Sequence, residues 1–169
     1  ITEGNDTDNG EGNYGDRYCD LVGQETGKPY LVSGRSGGNI DGVINRMYNE
    51  LPLLLPKYVV IMIGTNGGNT EAKLSQIIEY CQSLNVIPVL NNIPVRQGEN
   101  FNTKNALITQ VRQKYGISGM LMNVATSLDN DGETFNPALF DSGANAVHPN
   151  VAGHYEMFLR SFIDTPFLY

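Results

Sequence analysis

The sequence predicts an open three-layer α/β domain, a parallel sheet covered by helices on both faces. Three observations carry that expectation. Short β-branched runs alternate with longer amphipathic stretches along the chain. The run Tyr58 to Ile63 is apolar at every position, as a strand buried between two helix layers must be. Gly, Asn and Pro separate the runs and give each a local stop signal. With 169 residues, and about 100 to 200 residues in a typical domain, a single domain is expected.

The first helical pattern spans Tyr14 to Glu25, with Tyr14, Tyr18, Leu21, Val22 and Glu25 at helical spacing and Gly27 as its stop. Tyr30 to Val32 reads as a short strand. After the glycine-rich turn Ser33 to Gly38, Ile40 to Leu51 carries one apolar helical face (Ile40, Val43, Ile44, Met47, Tyr48, Leu51), and Pro52 is expected to end it. Tyr58 to Ile63 is the buried strand. Thr70 opens a helix to about Leu84 whose core face is Leu74, Ile77, Ile78 and Cys81. Val86 to Leu90 is the next strand, stopped by Asn91 and Asn92. A helix from about Phe101 to Tyr115, a strand near Leu121 to Val124, a loop from Ser127 to Asn145 and a last helix from Val151 to Ile163 complete the order.

Composition excludes several function classes. Eleven Lys and Arg against 18 Asp and Glu give a net charge of −7, and basic residues cluster nowhere. Phosphate binding depends on such clusters, so neither a nucleic acid nor an anionic membrane is an expected partner. Cys19 and Cys81 have no CxxC and no nearby His, which suggests two thiols and argues against a redox or zinc motif. The acidic stretches Asp6 to Glu11 and Asp129 to Glu133 lack the Gly and terminal Glu of a calcium loop and read as solvated turns. No cofactor and no metal are therefore expected. No apolar run approaches the roughly 18 residues of a membrane helix. The chain opens on the polar segment Ile1 to Asn13 without an initiator Met, a signal segment or a strand, so a processed protein, a domain from a longer chain and an incomplete sequence all stay open.

In open α/β sheets, ligands bind beyond the carboxyl ends of the strands. Three segments there have unusual composition. Ser33-Gly34-Arg35-Ser36-Gly37-Gly38-Asn39 lets the backbone approach a ligand and offers N–H groups to an oxyanion, or is a plain strand-to-helix turn. Gly64-Thr65-Asn66 places an amide donor after the buried strand; its ordinary job would be helix capping, which Asn69 or Thr70 can also do. Asp141 to Asn150 contains His148, one of two histidines, between a polar loop and a helix start, where it suits a general base. His154, inside the helical pattern, reads as structural. A backbone donor, a side-chain donor and a base are three of the parts that acyl transfer needs, with a nucleophile missing.

These segments resemble the blocks of the SGNH hydrolase (GDSL esterase/lipase) family. Ser36-Gly37 looks like the second block, Gly64-Thr65-Asn66 the third, and Asn145-Ala146-Val147-His148-Pro149-Asn150 the fourth; Ile1-Thr2-Glu3-Gly4 is similar to the tail of the first, which often reads GDSITEG. The resemblance implies a flavodoxin-like sheet whose first strand, carrying Gly-Asp-Ser, lies centrally between the Tyr30 and Tyr58 strands. It also implies that this strand and its nucleophilic serine precede Ile1. Where the family has an Asp three residues before the histidine, this chain has Asn145. Asn145 is the positional equivalent, Asp141 is an alternative acid, and a backbone carbonyl is a third way to orient His148.

The resemblance further implies a carboxylic ester hydrolase, provided a serine precedes Ile1. That serine would attack an ester carbonyl, His148 would take its proton, and Gly37 N–H with the Asn66 amide would hold the oxyanion. Polar residues in the site loops (Asn39, Asn91, Asn92, Arg96, Asn136 and Ser127 to Thr134), with 19 asparagines and no Trp, point to a short acyl group, acetyl first. The expected partner is a small-molecule or carbohydrate ester, and an exported or surface location fits it. A non-catalytic glycan- or protein-binding module is the competing expectation: Asn145 in place of Asp favours it, while Gly37, Asn66 and His148 oppose it. A flavodoxin-like cofactor or receiver domain would explain neither Asn66 nor His148.

Overall fold

A computed structural model describes residues 16–141 and 147–169. Among these, the chain order is α1 (Tyr18–Thr26), α2 (Ile40–Leu54), β1 (Tyr58–Ile61), α3 (Glu71–Ser83), β2 (Ile87–Leu90), α4 (Asn102–Tyr115), α5 (Met122–Thr126) and α6 (Val151–Asp164). Single 3-10 turns lie at Leu128–Asn130, Pro137–Leu139 and Pro166–Leu168. The architecture is α/β, with a parallel sheet and helices around it. The described residues group into two compact units: a sheet unit, Gly37–Ile93 with Asn102–Met120, and a helical unit drawn from 16–36, 94–101, 121–141 and 147–169.

In the sheet unit, β1 and β2 pair in parallel, Tyr58 opposite Ile87 and Ile61 opposite Leu90. The ladder runs past both strand ends, with Asn91 N–H donating to Ile61 O (2.8 Å). On the far side of β2, Leu90 N–H donates to Ser118 O and Asn92 N–H to Met120 O, each at 2.9 Å, so residues 118–120 run alongside β2 without forming a strand. Gly119 makes this approach possible, because a Cβ there would lie 1.8 Å from Leu90 O. The strand expected near Leu121 to Val124 does not form among the described residues. Leu121 instead leads into α5, its N–H held by the Asp164 carboxylate at 2.7 Å.

α3 packs on α2, α4 and β2. Its expected core face, Leu74, Ile77, Ile78 and Cys81, is buried. α2 does not stop at Pro52 but runs to Leu54. Pro52 has no N–H for the Tyr48 carbonyl, and that carbonyl takes the Tyr80 hydroxyl of α3 at 3.5 Å. The Tyr48 and Tyr80 rings meet edge to face at 4.4 Å. Side-chain amides secure the backbone just past β2: Asn105 Oδ1 accepts from Ile93 N–H (2.8 Å) and its Nδ2 donates to Ile93 O (3.1 Å).

In the helical unit, α6 packs against α1 and α5. His154 of α6 is 1% exposed; its Nδ1 accepts from Tyr18 N–H at 3.3 Å, and the two rings stack. An imidazole that accepts at Nδ1 is neutral, and burial pushes its pKa down to about 4. Beside it, Arg17 donates to Asp20 in a buried pair (2.7 Å), and the Tyr30 hydroxyl donates to the same carboxylate at 3.1 Å. Tyr30 to Val32 does not form a strand. The Tyr30 ring lies on Gly23, where a Cβ would come within 2.3 Å, and the segment is turned towards α1 with no ladder partner among the described residues. Gly27 ends α1 in the left-handed conformation, φ +60°, as its sequence position suggests. The expected start of that helix at Tyr14 lies outside the described residues. Cys19 and Cys81 are both thiols, each pushed up to about 11 by burial.

Candidate active site

The sequence-predicted residues fall into two sets, one in each unit. In the sheet unit, Gly37 forms the turn before α2 at φ +68°, with nothing within 4 Å of the place a Cβ would occupy. Asn39 closes this turn as the N-cap of α2, accepting from Gly42 N–H at 3.0 Å. Beyond β1, Gly64 has φ +133°, and a Cβ there would lie 2.6 Å from Asn69 Nδ2 and 2.7 Å from Ile93 Cδ1. Only glycine fits this bend, which carries the chain from the sheet to Asn66.

Asn66 is free of the ordinary jobs open to it. Thr70 Oγ1 caps α3 by accepting from Lys73 N–H (3.2 Å), and Asn69 Nδ2 fastens the loop to Ile63 O (2.9 Å). The exposed Asn66 amide instead donates to Gly38 O at 3.1 Å. The structure thus brings the Gly37 turn and Asn66 together across 28 residues of chain. One amide N–H holds the pair in place, and the second N–H of the same group stays available for a ligand.

In the helical unit, Phe140 and Pro149 form an antiparallel bridge. It is flanked by Asn150 N–H to Leu139 O (3.0 Å) and Asp141 N–H to His148 O (3.2 Å). Phe140 is buried with Val95, Phe135 and Leu139. Asn150 clamps the bridge to α6: its Oδ1 accepts from Gly153 N–H (3.0 Å), and its Nδ2 donates to Ala138 O and Phe140 O, both at 3.1 Å. His148, half-buried, is carried on this closed turn just ahead of α6. Asn145 lies outside the described residues.

Sequence reading missed the clamp. Asn150 shows there only as a residue before a helix, although Asn directly before a helical pattern is itself a capping signal. The polarity argument for the loops is also corrected in part. Asn91 and Asn92 are buried at 0% and 4%, Asn91 Oδ1 accepts from Met120 N–H (2.9 Å), and Asn39 and Asn136 cap helical turns. Backbone demand explains Asn39, Asn91 and Asn136, so they say little about a substrate. Asp131 similarly serves its own turn. Its Oδ1 accepts from the N–H groups of Glu133 and Thr134 at 2.8 Å, and with the Thr134 side chain as the leading cause its pKa falls to about 2.

The sequence profile of the GDSL-like lipase/acylhydrolase family matches residues 1–155. The chain belongs to this family. Membership makes it a carboxylic ester hydrolase by class. Solved structures agree on the fold. Against an acetyl-xylooligosaccharide esterase, Axe2 from Geobacillus, the TM-score is 0.70 at 19% identity, with 95% of this chain and 87% of that chain covered. Against the psychrotrophic esterase EstA from Pseudoalteromonas sp. it is 0.69 at 14% identity, with 90% and 87% covered. A lipolytic protein of the G-D-S-L family from Desulfitobacterium hafniense gives 0.69 at 16% identity, with 95% and 92% covered. No curated protein matches the sequence at a significant level.

Proposed function

We propose that this GDSL-family member is a serine esterase that removes a short acyl group, acetyl first, from a carbohydrate or a similarly polar alcohol through an acyl-enzyme. The observation that carries the reading is Asn66. It is relieved of capping, exposed, and hydrogen-bonded to the glycine turn that would supply the backbone donor. In this reading the nucleophile is a serine on a strand upstream of Ile1, and the edge of β1 opposite β2 is where that strand would pair.

The serine Oγ attacks the ester carbonyl as His148 accepts its proton. The negative charge that develops on the carbonyl oxygen is met by the Gly37 N–H, the Asn66 amide N–H and the serine's own N–H. Collapse expels the alcohol, which takes the proton from His148. Water, deprotonated by the same imidazole, then attacks the acyl-serine; the tetrahedral species collapses, the serine regains its proton and the carboxylic acid leaves. The acetyl preference is supported by one similar enzyme, Axe2 from Geobacillus, described as an acetyl-xylooligosaccharide esterase in one solved structure and an acetylxylan esterase in another.

The test uses the natural protein with whatever residues precede Ile1. A chromogenic ester series from acetyl to octanoyl should give the highest kcat/KM at acetyl, and a phosphonate inhibitor should label one serine upstream of Ile1. Preference for octanoyl refutes the substrate reading. Absence of both hydrolysis and labelling refutes the catalytic one and favours a binding module.

A further inference from the structure

Building on the esterase reading, we infer that Asp141 is the carboxylate that orients His148, in place of the position three residues before the histidine. The inference starts from register. The bridge at Phe140 and Pro149, with the 3.2 Å bond from Asp141 N–H to His148 O, makes Asp141 and His148 directly opposite partners in a short antiparallel ladder. Opposite partners put their side chains on the same face, with Cβ atoms about 5 Å apart, and successive residues alternate between faces. Phe140 and Pro149 take the buried face, so Asp141 and His148 share the other one.

The platform is tied down from both sides. Phe140 is packed with Phe135, the rings 4.8 Å apart, and Asn150 ties both the Phe140 carbonyl and the first turn of α6 to one side chain. Asp141 Oδ2 is withdrawn from solvent. A shielded carboxylate oxygen favours a hydrogen-bonded cation or N–H donor, and the imidazole opposite is a group that can be either.

The chemistry follows from this placement. A carboxylate that accepts from Nδ1–H fixes the tautomer in which Nε2 carries the lone pair, the nitrogen that must take the serine proton. It also stabilises the imidazolium formed during attack. Asn145 has a neutral amide and can do only the first of these. Asp141 is thus a positioning residue: it acts through His148 and does not touch the ester.

The experiment compares full-length protein with D141N, which keeps the backbone N–H of the bridge and removes the charge. The expected result is a loss of at least 10²-fold in kcat, approaching the roughly 10⁴ seen when a triad carboxylate becomes an amide, with KM within about threefold. D141E should recover part of that loss. Independently of activity, a downfield proton resonance from His148 Nδ1–H, identified by its absence in H148Q, should vanish in D141N. A folded D141N with less than a tenfold loss in kcat, or with that resonance unchanged, overturns the inference. If the unsubstituted protein hydrolyses no ester, the esterase reading fails, and the resonance alone decides whether Asp141 holds His148.

Discussion

Acidification should loosen the joint between α1 and α6 through His154. The side chain is 1% exposed, accepts from Tyr18 N–H at 3.3 Å, and has its pKa pushed down to about 4, with burial as the leading cause. An unfolded histidine titrates near 6.5. Between these two values the unfolded chain binds a proton that the folded chain refuses, so stability falls as pH drops from about 6.5 towards 4 and is unaffected above that window. The full interval corresponds to about 3 kcal/mol at 1.36 kcal/mol per pH unit, and about 2 kcal/mol of it is lost by pH 5. Urea unfolding at pH 8 and pH 5 reads this as a drop in midpoint. His154→Asn keeps an acceptor for Tyr18 N–H but does not titrate, and it should abolish most of the difference. Asp131, whose pKa lies near 2, contributes only at lower pH, where its turn weakens as the carboxylate protonates. Equal pH slopes in the wild type and His154→Asn would refute the argument.

Two further substitutions separate the site from its scaffold. Asn66→Ala should lower kcat about 10² to 10³-fold with little change in KM, because an oxyanion donor is used chiefly in the transition state. Unchanged kcat in a steady-state assay removes Asn66 from the site. Asn150→Ala should cost more stability than Asn39→Ala. Each change removes a helix cap worth about 1 kcal/mol, but Asn150 also gives up bonds to Ala138 O and Phe140 O. Equal shifts in thermal midpoint would show that the clamp adds nothing.

Legibility followed the range of the interaction. Thr70 as a cap, Gly27 as a stop and the apolar face of α3 were readable because each acts within a turn or two of chain. Tyr30 to Val32 has strand composition but no partner among the described residues, and pairing cannot be read from three residues. Pro52 should have broken α2, and the contact that relieves it, from Tyr80, comes from another helix. Residues 118–120 were missed because Gly119, a poor strand former, is what permits the close approach to Leu90.

The sequence by itself determined the alternating α/β order and the family, and it singled out Gly37, Asn66 and His148 as candidates, since short motifs and periodic patterns are local properties of the chain. Only the tertiary structure decided what those residues are free to do. Asn66 is available because Thr70 and Asn69 take its alternative roles, and its bond to Gly38 spans 28 positions. Asp141 stands opposite His148 because Phe140 and Pro149 close a ladder on a buried face. The partner of Asn66 lies 28 positions away and the neighbour of Asp141 is set by the register of a bridge, and both are chosen by packing.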